Sequence, residues 1–230
     1  RCEVLSEILT KAEYVHVTSP GGTDVKVDIS TRKAFSDDGD FTQKGSGGNI
    51  PAGEVYISPV VGKTEGKIVF DGSISLTSKD MLVKNPACLE IENGFITKVY
   101  SVGENPDLPP QKHSEAKKLL DCIIEAETSA IQREKEGKIP AGTGEVLKRN
   151  ARNIGELGIG LNPNAKINGN MLEDEKAFRT CHFAIGQNYD GDANALIHLD
   201  CLVKNPTIIA FFKNGSSQVI LSNGNLVCTK

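Results

Sequence analysis

Residues 89–137 read LEIENGFITKVYSVGENPDLPPQKHSEAKKLLDCIIEAETSAIQREKEG, and this stretch decides the fold class. Leu89–Ile91 and Ile96–Tyr100 flank Asn93-Gly94, the strongest short-range signal for a β-hairpin. Pro109-Pro110 then closes the β-rich half. Ser114 is an N-cap residue for a helix whose apolar stripe is Ala116, Leu119, Leu120, Ile123, Ile124 and Ile131, and Gly137 is its stop. Strands in succession followed by a helix are the pattern of an α+β protein, not of alternating βαβ units.

The flanking sequence extends this pattern. Residues 3–12 have helical spacing through Val4, Leu5, Ile8 and Leu9. Tyr14–Thr18 and Val25–Ile29 alternate like strands around the turn Pro20-Gly21-Gly22-Thr23-Asp24. Arg32–Gly53 is rich in Gly, Asp, Ser and Lys and reads as a long functional loop. Val55–Pro59, Lys67–Phe70 and Ser73–Leu76 are strand-like, with Asp71-Gly72 as a turn. A second helix is expected from Thr143 towards Arg152, and the rest returns to β structure with turns at Asn214-Gly215 and Asn223-Gly224. The expected architecture is a mixed, mainly antiparallel sheet or barrel with one or two helices, as a single domain over residues 1–230.

Composition narrows the function classes. The 230 residues carry 26 basic and 30 acidic side chains, a formal charge of −4, with 38% hydrophobic and 24% charged residues. That is an ordinary globular composition, too apolar to be disordered. No apolar run approaches the roughly 20 residues of a transmembrane helix. A mildly acidic chain without Lys/Arg runs argues against a nucleic-acid partner. The six cysteines, Cys2, Cys88, Cys122, Cys181, Cys201 and Cys228, form no CxxC pair. They read as reduced, buried thiols of a cytoplasmic protein. The chain opens Arg1-Cys2-Glu3 directly into an amphipathic stretch, which suggests an internal point of a longer protein.

Chemistry concentrates between Asp174 and Asp200, DEKAFRTCHFAIGQNYDGDANALIHLD. His198 and Asp200 form an H-x-D pair, and on a strand residues i and i+2 share a face. His182 lies upstream across the Asn188–Asn194 loop, which can reverse the chain and bring the two histidines together. Alternation turns Cys181 and Cys201 to the opposite, core face. Two imidazoles and a carboxylate suit a catalytic metal site with open positions, including the facial triad of non-haem iron. Glu156 sits in the apolar, glycine-punctuated run Ile154–Gly160 and needs a partner or a metal if it points inward. Glu54 follows the glycine-rich Gly47–Gly53 into a strand. His16 and His113 have no spaced partner and read as ordinary histidines.

NIPAGEVYISP (residues 49–59), ELGIGLNP (156–163) and DEK…CHFAIGQNY…HLD together resemble the aminopeptidase T/aminopeptidase S family of metallopeptidases, from about Gly21 to Pro206. The resemblance implies a catalytic domain with two divalent metals, zinc or cobalt, and in the family an N-terminal α/β domain precedes it, which is expected to be missing ahead of Arg1. It places the first metal-binding glutamate on Glu54, the bridging glutamate on Glu156, and further ligands on His182, His198 and Asp200. Tyr189 matches the family's catalytic tyrosine, and Glu175 is the nearest match to a further ligand, farther from His182 than the family pattern. Implied with these are hydrolysis of short peptides at the N-terminus by a metal-activated water, proton relay by Glu54 or Glu175, and a homodimer. Ring-cleaving dioxygenases acting on 2,5-dihydroxypyridine are a second resemblance in the same superfamily. They imply one iron(II) on His182, His198 and Asp200. A non-enzymatic binding module is a third reading.

Overall fold

A computed structural model describes residues 1–228. In chain order the elements are α1 (Cys2–Lys11), β1 (Ala12–Thr18), β2 (Asp24–Asp28), β3 (Phe35–Asp37), β4 (Glu54–Ile57), β5 (Thr64–Phe70), β6 (Ser73–Ser75) and β7 (Asp80–Leu82). There follow β8 (Ala87–Glu92), β9 (Phe95–Ser101), α2 (Glu115–Lys135), α3 (Gly144–Asn150), β10 (Ile154–Gly160) and α4 (Met171–Asp174). The chain then runs through β11 (Thr180–Gly186), β12 (His198–Lys204), β13 (Thr207–Phe212), β14 (Ser217–Ser222) and β15 (Asn225–Leu226). The fold is α+β, as expected.

Two open sheets replace the alternative of a closed barrel. One has the order β15-β14-β13-β1-β2-β5-β8-β9, the other β3-β4-β10-β11-β12-β6-β7. Every pairing between these strands is antiparallel. A continuous apolar core draws on both sheets and on the inner faces of α1 and α2, with Leu5, Val15, Phe70, Leu119, Ile159 and Phe183 fully buried. Burying such side chains is the main driving force for the fold.

Local chemistry explains the hairpins and the long helix. Asn93 and Gly94 both have positive φ, 51° and 78°, the two-residue turn that matches the twist of β8 and β9. At the start of α2 the Ser114 hydroxyl accepts the Lys117 amide at 3.1 Å. At its end Gly137 adopts φ 67°, the Lys138 amide reaches the Arg133 carbonyl and the Gly137 amide the Glu134 carbonyl. That pair of bonds satisfies carbonyls that would otherwise be left open. Of the expected apolar stripe Ala116, Leu119 and Ile123 are buried, whereas Ile124 is 44% exposed, and Cys122, Ala126 and Ala130 complete the core face.

The long Arg32–Gly53 loop contains the short strand β3, which pairs with β4. Strand β7 and helix α4 are likewise absent from the sequence pattern, being only 3 and 4 residues long. No helix among the described residues is long and apolar enough to cross a membrane. All six cysteines are free, five of them buried, with Cys181 and Cys201 in the core.

Candidate metal centre

The site lies on one face of the adjacent strands β4, β10, β11 and β12. Residues of β10 and β11 are buried throughout, so any charge on them must find a partner. The register aligns the chemistry. Glu156 is opposite Ala184, which is opposite Asp200 on the next strand. The methyl group of Ala184 leaves the space between the two carboxylates open. Gly158 is opposite His182, and Gly186 is opposite His198. Gly160 is opposite Glu54, which brings that carboxylate to the same face from β4.

Ligand atoms of Glu156, His198 and Asp200 lie within 4.8 Å of one another. His198 Nε2 is 3.7 Å from Glu156 Oε2 and 3.4 Å from Asp200 Oδ1. His198 Nδ1 donates to the Gln187 carbonyl at 2.9 Å, which leaves Nε2 to face the two carboxylates. A ring held through one nitrogen by a carbonyl, with the other free, is how histidine is set to ligate a metal. Glu156 Oε2 and Asp200 Oδ1 are buried without a hydrogen-bond partner. Unpaired buried acceptors converging on one imidazole fit a divalent cation.

His182 does not join that group. It sits with Glu54 and Glu175, whose ligand atoms and its own also lie within 4.8 Å of one another. Its Nε2 is 2.9 Å from Glu156 Oε1 and 3.7 Å from Glu54 Oε2. The expected set of His182, His198 and Asp200 is therefore divided: diagonal placement across the sheet makes His182 a partner of Glu156. Between Glu54 and Glu175 lies the ammonium of Lys176, 2.6 Å from Glu54 Oε1, hydrogen-bonded to Glu175 and 3.7 Å from Asp37 Oδ2. Asn49 of the long loop reaches Glu175 Oε1 at 3.4 Å.

The charges shift one another. Burial pushes the Glu156 carboxyl up despite its bond to His182. Burial opposes charge on His198, but the neighbouring Asp200 and Glu156 carboxylates outweigh it and raise the ring to about 9. Burial likewise opposes the Lys176 charge, and Glu54 and Glu175 outweigh it, so the ammonium stays charged.

Glu54, Glu156, Glu175, His198 and Asp200 border a cleft of about 250 Å³. Tyr189 stands at its mouth, 60% exposed, with its ring 5.3 Å from His198 edge-on and 5.2 Å from Tyr56. Phe35 stacks on Tyr56 at 5.6 Å. Desolvation and the carboxylates of Glu156 and Asp200 keep the Tyr189 phenol protonated. His16 pairs with Asp24 on the surface at 2.7 Å, away from the cleft.

Lys176, Asp37 and Tyr56 went unread in the sequence. Tyr56 was within reach: it is two residues from Glu54 on a strand and so shares its face. Lys176 follows two acids, a pattern that reads as a solvated run until burial is known.

The family model for NicX, 2,5-dihydroxypyridine 5,6-dioxygenase, matches residues 1–108. That range holds Glu54 and Tyr56 and ends before Glu156. No curated protein matches. Among solved structures, the 2,5-dihydroxypyridine dioxygenase of Pseudomonas putida KT2440 aligns with a TM-score of 0.72 and 21% identity, over 100% of this chain and 59% of that one. AmpT from Thermus thermophilus aligns with a TM-score of 0.68 and 17% identity, over 98% of this chain and 52% of that one. The chain thus spans between half and three-fifths of these structures. The likeness to AmpT sustains a distant relation to aminopeptidase T in fold. The expected activity does not survive: the family match and the dioxygenase likeness overturn the reading as a zinc-dependent aminopeptidase.

Proposed function

We propose that the cleft is a mononuclear non-haem iron(II) centre for oxidative cleavage of a hydroxylated aromatic ring, of the dihydroxypyridine class. The observation that carries this reading is the convergence of His198 Nε2, Glu156 Oε2 and Asp200 Oδ1, with the last two otherwise unpartnered. The matches to dioxygenases support it. Glu156, His198 and Asp200 would hold the ion, and a mixed nitrogen and oxygen donor set suits iron(II). When bound, iron(II) supplies the one-electron chemistry that lets dioxygen react with an electron-rich ring.

The protein's own groups orient and select. His182 fixes Glu156 Oε1 and leaves Oε2 for the ion. The Gln187 carbonyl fixes the plane of His198. Tyr56 and Tyr189 form an aromatic wall against which a flat ring can stack or meet edge to face. Glu54 Oε2, buried and unpartnered beside His182, is an acceptor for the proton a ring hydroxyl gives up. No Lys or Arg side chain lines the cleft among the described residues, while Asp37, Glu54, Glu156, Glu175 and Asp200 do. This acidic lining favours a ring without a carboxylate of its own.

The test is oxygen uptake by anaerobically iron-loaded protein given 2,5-dihydroxypyridine. The wild type is expected to consume oxygen with loss of the ring chromophore. Asp200→Asn and His198→Ala are expected to lose both iron and uptake. A wild-type protein that holds iron on these residues yet consumes no oxygen with any dihydroxylated ring overturns the reading.

A further inference from the structure

The second carboxylate cluster holds a cation that belongs to the chain. Lys176 is fully buried, and its ammonium contacts Glu54 and Glu175 and lies near Asp37. Glu54, Glu175 and His182 present donor atoms within 4.8 Å of one another, the spacing of a metal group. Glu54, itself only 5% exposed, keeps Oε2 without a hydrogen-bond partner. The cluster is therefore built for a cation and only partly satisfied by one. An ammonium is a compact point charge with three donors, and it occupies space a metal would need.

The backbone holds the lysine there. A Cβ on Gly160 would meet the Ala177 carbonyl oxygen at 2.1 Å and the Lys176 carbonyl carbon at 2.9 Å, so the bare strand lets residues 176–177 press against β10. The Asn162 amide donates to the Lys176 carbonyl at 2.9 Å, and the Thr180 hydroxyl to the Ala177 carbonyl at 2.8 Å. A lysine fixed at its main chain and buried to its tip cannot swing aside for an incoming ion.

We propose that Lys176 is a built-in substitute for a second metal ion, and that Glu54, Glu175 and His182 form a latent divalent-metal site that opens when the ammonium is removed. This deepens the single-metal reading above, in which only the Glu156 group takes an ion. It assigns the lysine a role in metal number: one charge stays with the fold so that one site remains for the exchangeable ion.

The experiment counts manganese(II), an air-stable probe of hard divalent sites, bound per chain by titration calorimetry and elemental analysis. Wild type is compared with Lys176→Ala. The variant is expected to bind one equivalent more than wild type. Removing the ammonium leaves Glu54, Glu175 and Asp37 facing one another, so Lys176→Ala/Asp37→Asn is measured beside it to relieve that repulsion, and the same gain is expected. A folded variant of either kind with the wild-type count overturns the proposal, as does a wild type that already binds two. The absolute wild-type count tests the other reading: a wild type that binds none rejects the Glu156 group as a metal site, while the difference between variant and wild type still judges the lysine.

Discussion

A Cβ placed on Gly158 would lie 2.0 Å from Nε2 of His182, its partner across the β10–β11 pair. The strand beneath the imidazole is bare, and the ring lies across it to reach Glu156 Oε1 at 2.9 Å. Gly158→Ala should leave the sheet intact, because the φ of Gly158 is not in the left-handed region. The ring must move, and Glu156 loses its anchor. Loss of such an outer partner weakens metal binding by about 10- to 100-fold. Manganese titration with circular dichroism as the control for folding checks this; unchanged affinity would remove the glycine from the design of the site.

Tyr56 lies 5.2 Å from Tyr189 and stacks on Phe35. Tyr56→Leu keeps apolar bulk and removes the ring face. An aromatic pair contributes about 0.5–1.5 kcal/mol beyond area, so KM for a dihydroxylated ring should rise roughly 2- to 12-fold. Steady-state oxygen uptake separates the terms: kcat should change less than KM. A fall in kcat at constant KM would place Tyr56 in the reacting machinery and not in binding.

The loop carrying Tyr189 is tied to the segment that follows β2 by Arg32, 2.6 Å from Asp192 and 3.8 Å from Asp190. Burial pushes the Asp192 carboxyl up, but the Asn188 amide and Arg32 outweigh it and hold the group below its ordinary value. A carboxyl depressed in the folded state stabilises above its unfolded pKa of about 3.9, and that contribution is lost as pH falls through the folded value. Asp192 is half exposed, so screening limits the effect to under about 1 kcal/mol. Thermal melts of wild type and Asp192→Asn should differ at pH 6 and converge at the acid end. A gap that persists or widens on acidification would contradict the assignment.

Helix α2 begins at a side-chain cap, the Ser114 hydroxyl accepting the Lys117 amide. Ser114→Ala should cost about 1 kcal/mol of unfolding free energy. Urea denaturation would register this as a lower midpoint at constant slope. Metal binding should not change, since α2 lies outside the β4–β12 face of the site.

Much of this protein is legible where the signal is local. Asn93-Gly94 specifies a turn through its own backbone preferences, and Ser114 and Gly137 bound a helix whose ends they chemically satisfy. The H-x-D spacing placed His198 and Asp200 side by side because strand geometry has a period of two. An acid inside Ile154–Gly160 had to be paired, and Glu156 is. The aminopeptidase activity inferred from the same motifs failed, because relatives that share a fold and ligand residues can differ in the chemistry at the metal.

Sequence alone determined which residues face together along each strand. It could not determine register, which depends on how neighbouring strands slide until their cores match. That register put Ala184 between Glu156 and Asp200 and Gly158 under His182, and so divided the histidines between two groups. Only the packed tertiary structure could turn Lys176 inward. In the chain it is one more charged residue after two acids; enclosed against Glu54 and Glu175, where an unpaired charge is costly, it becomes the counter-ion of the site.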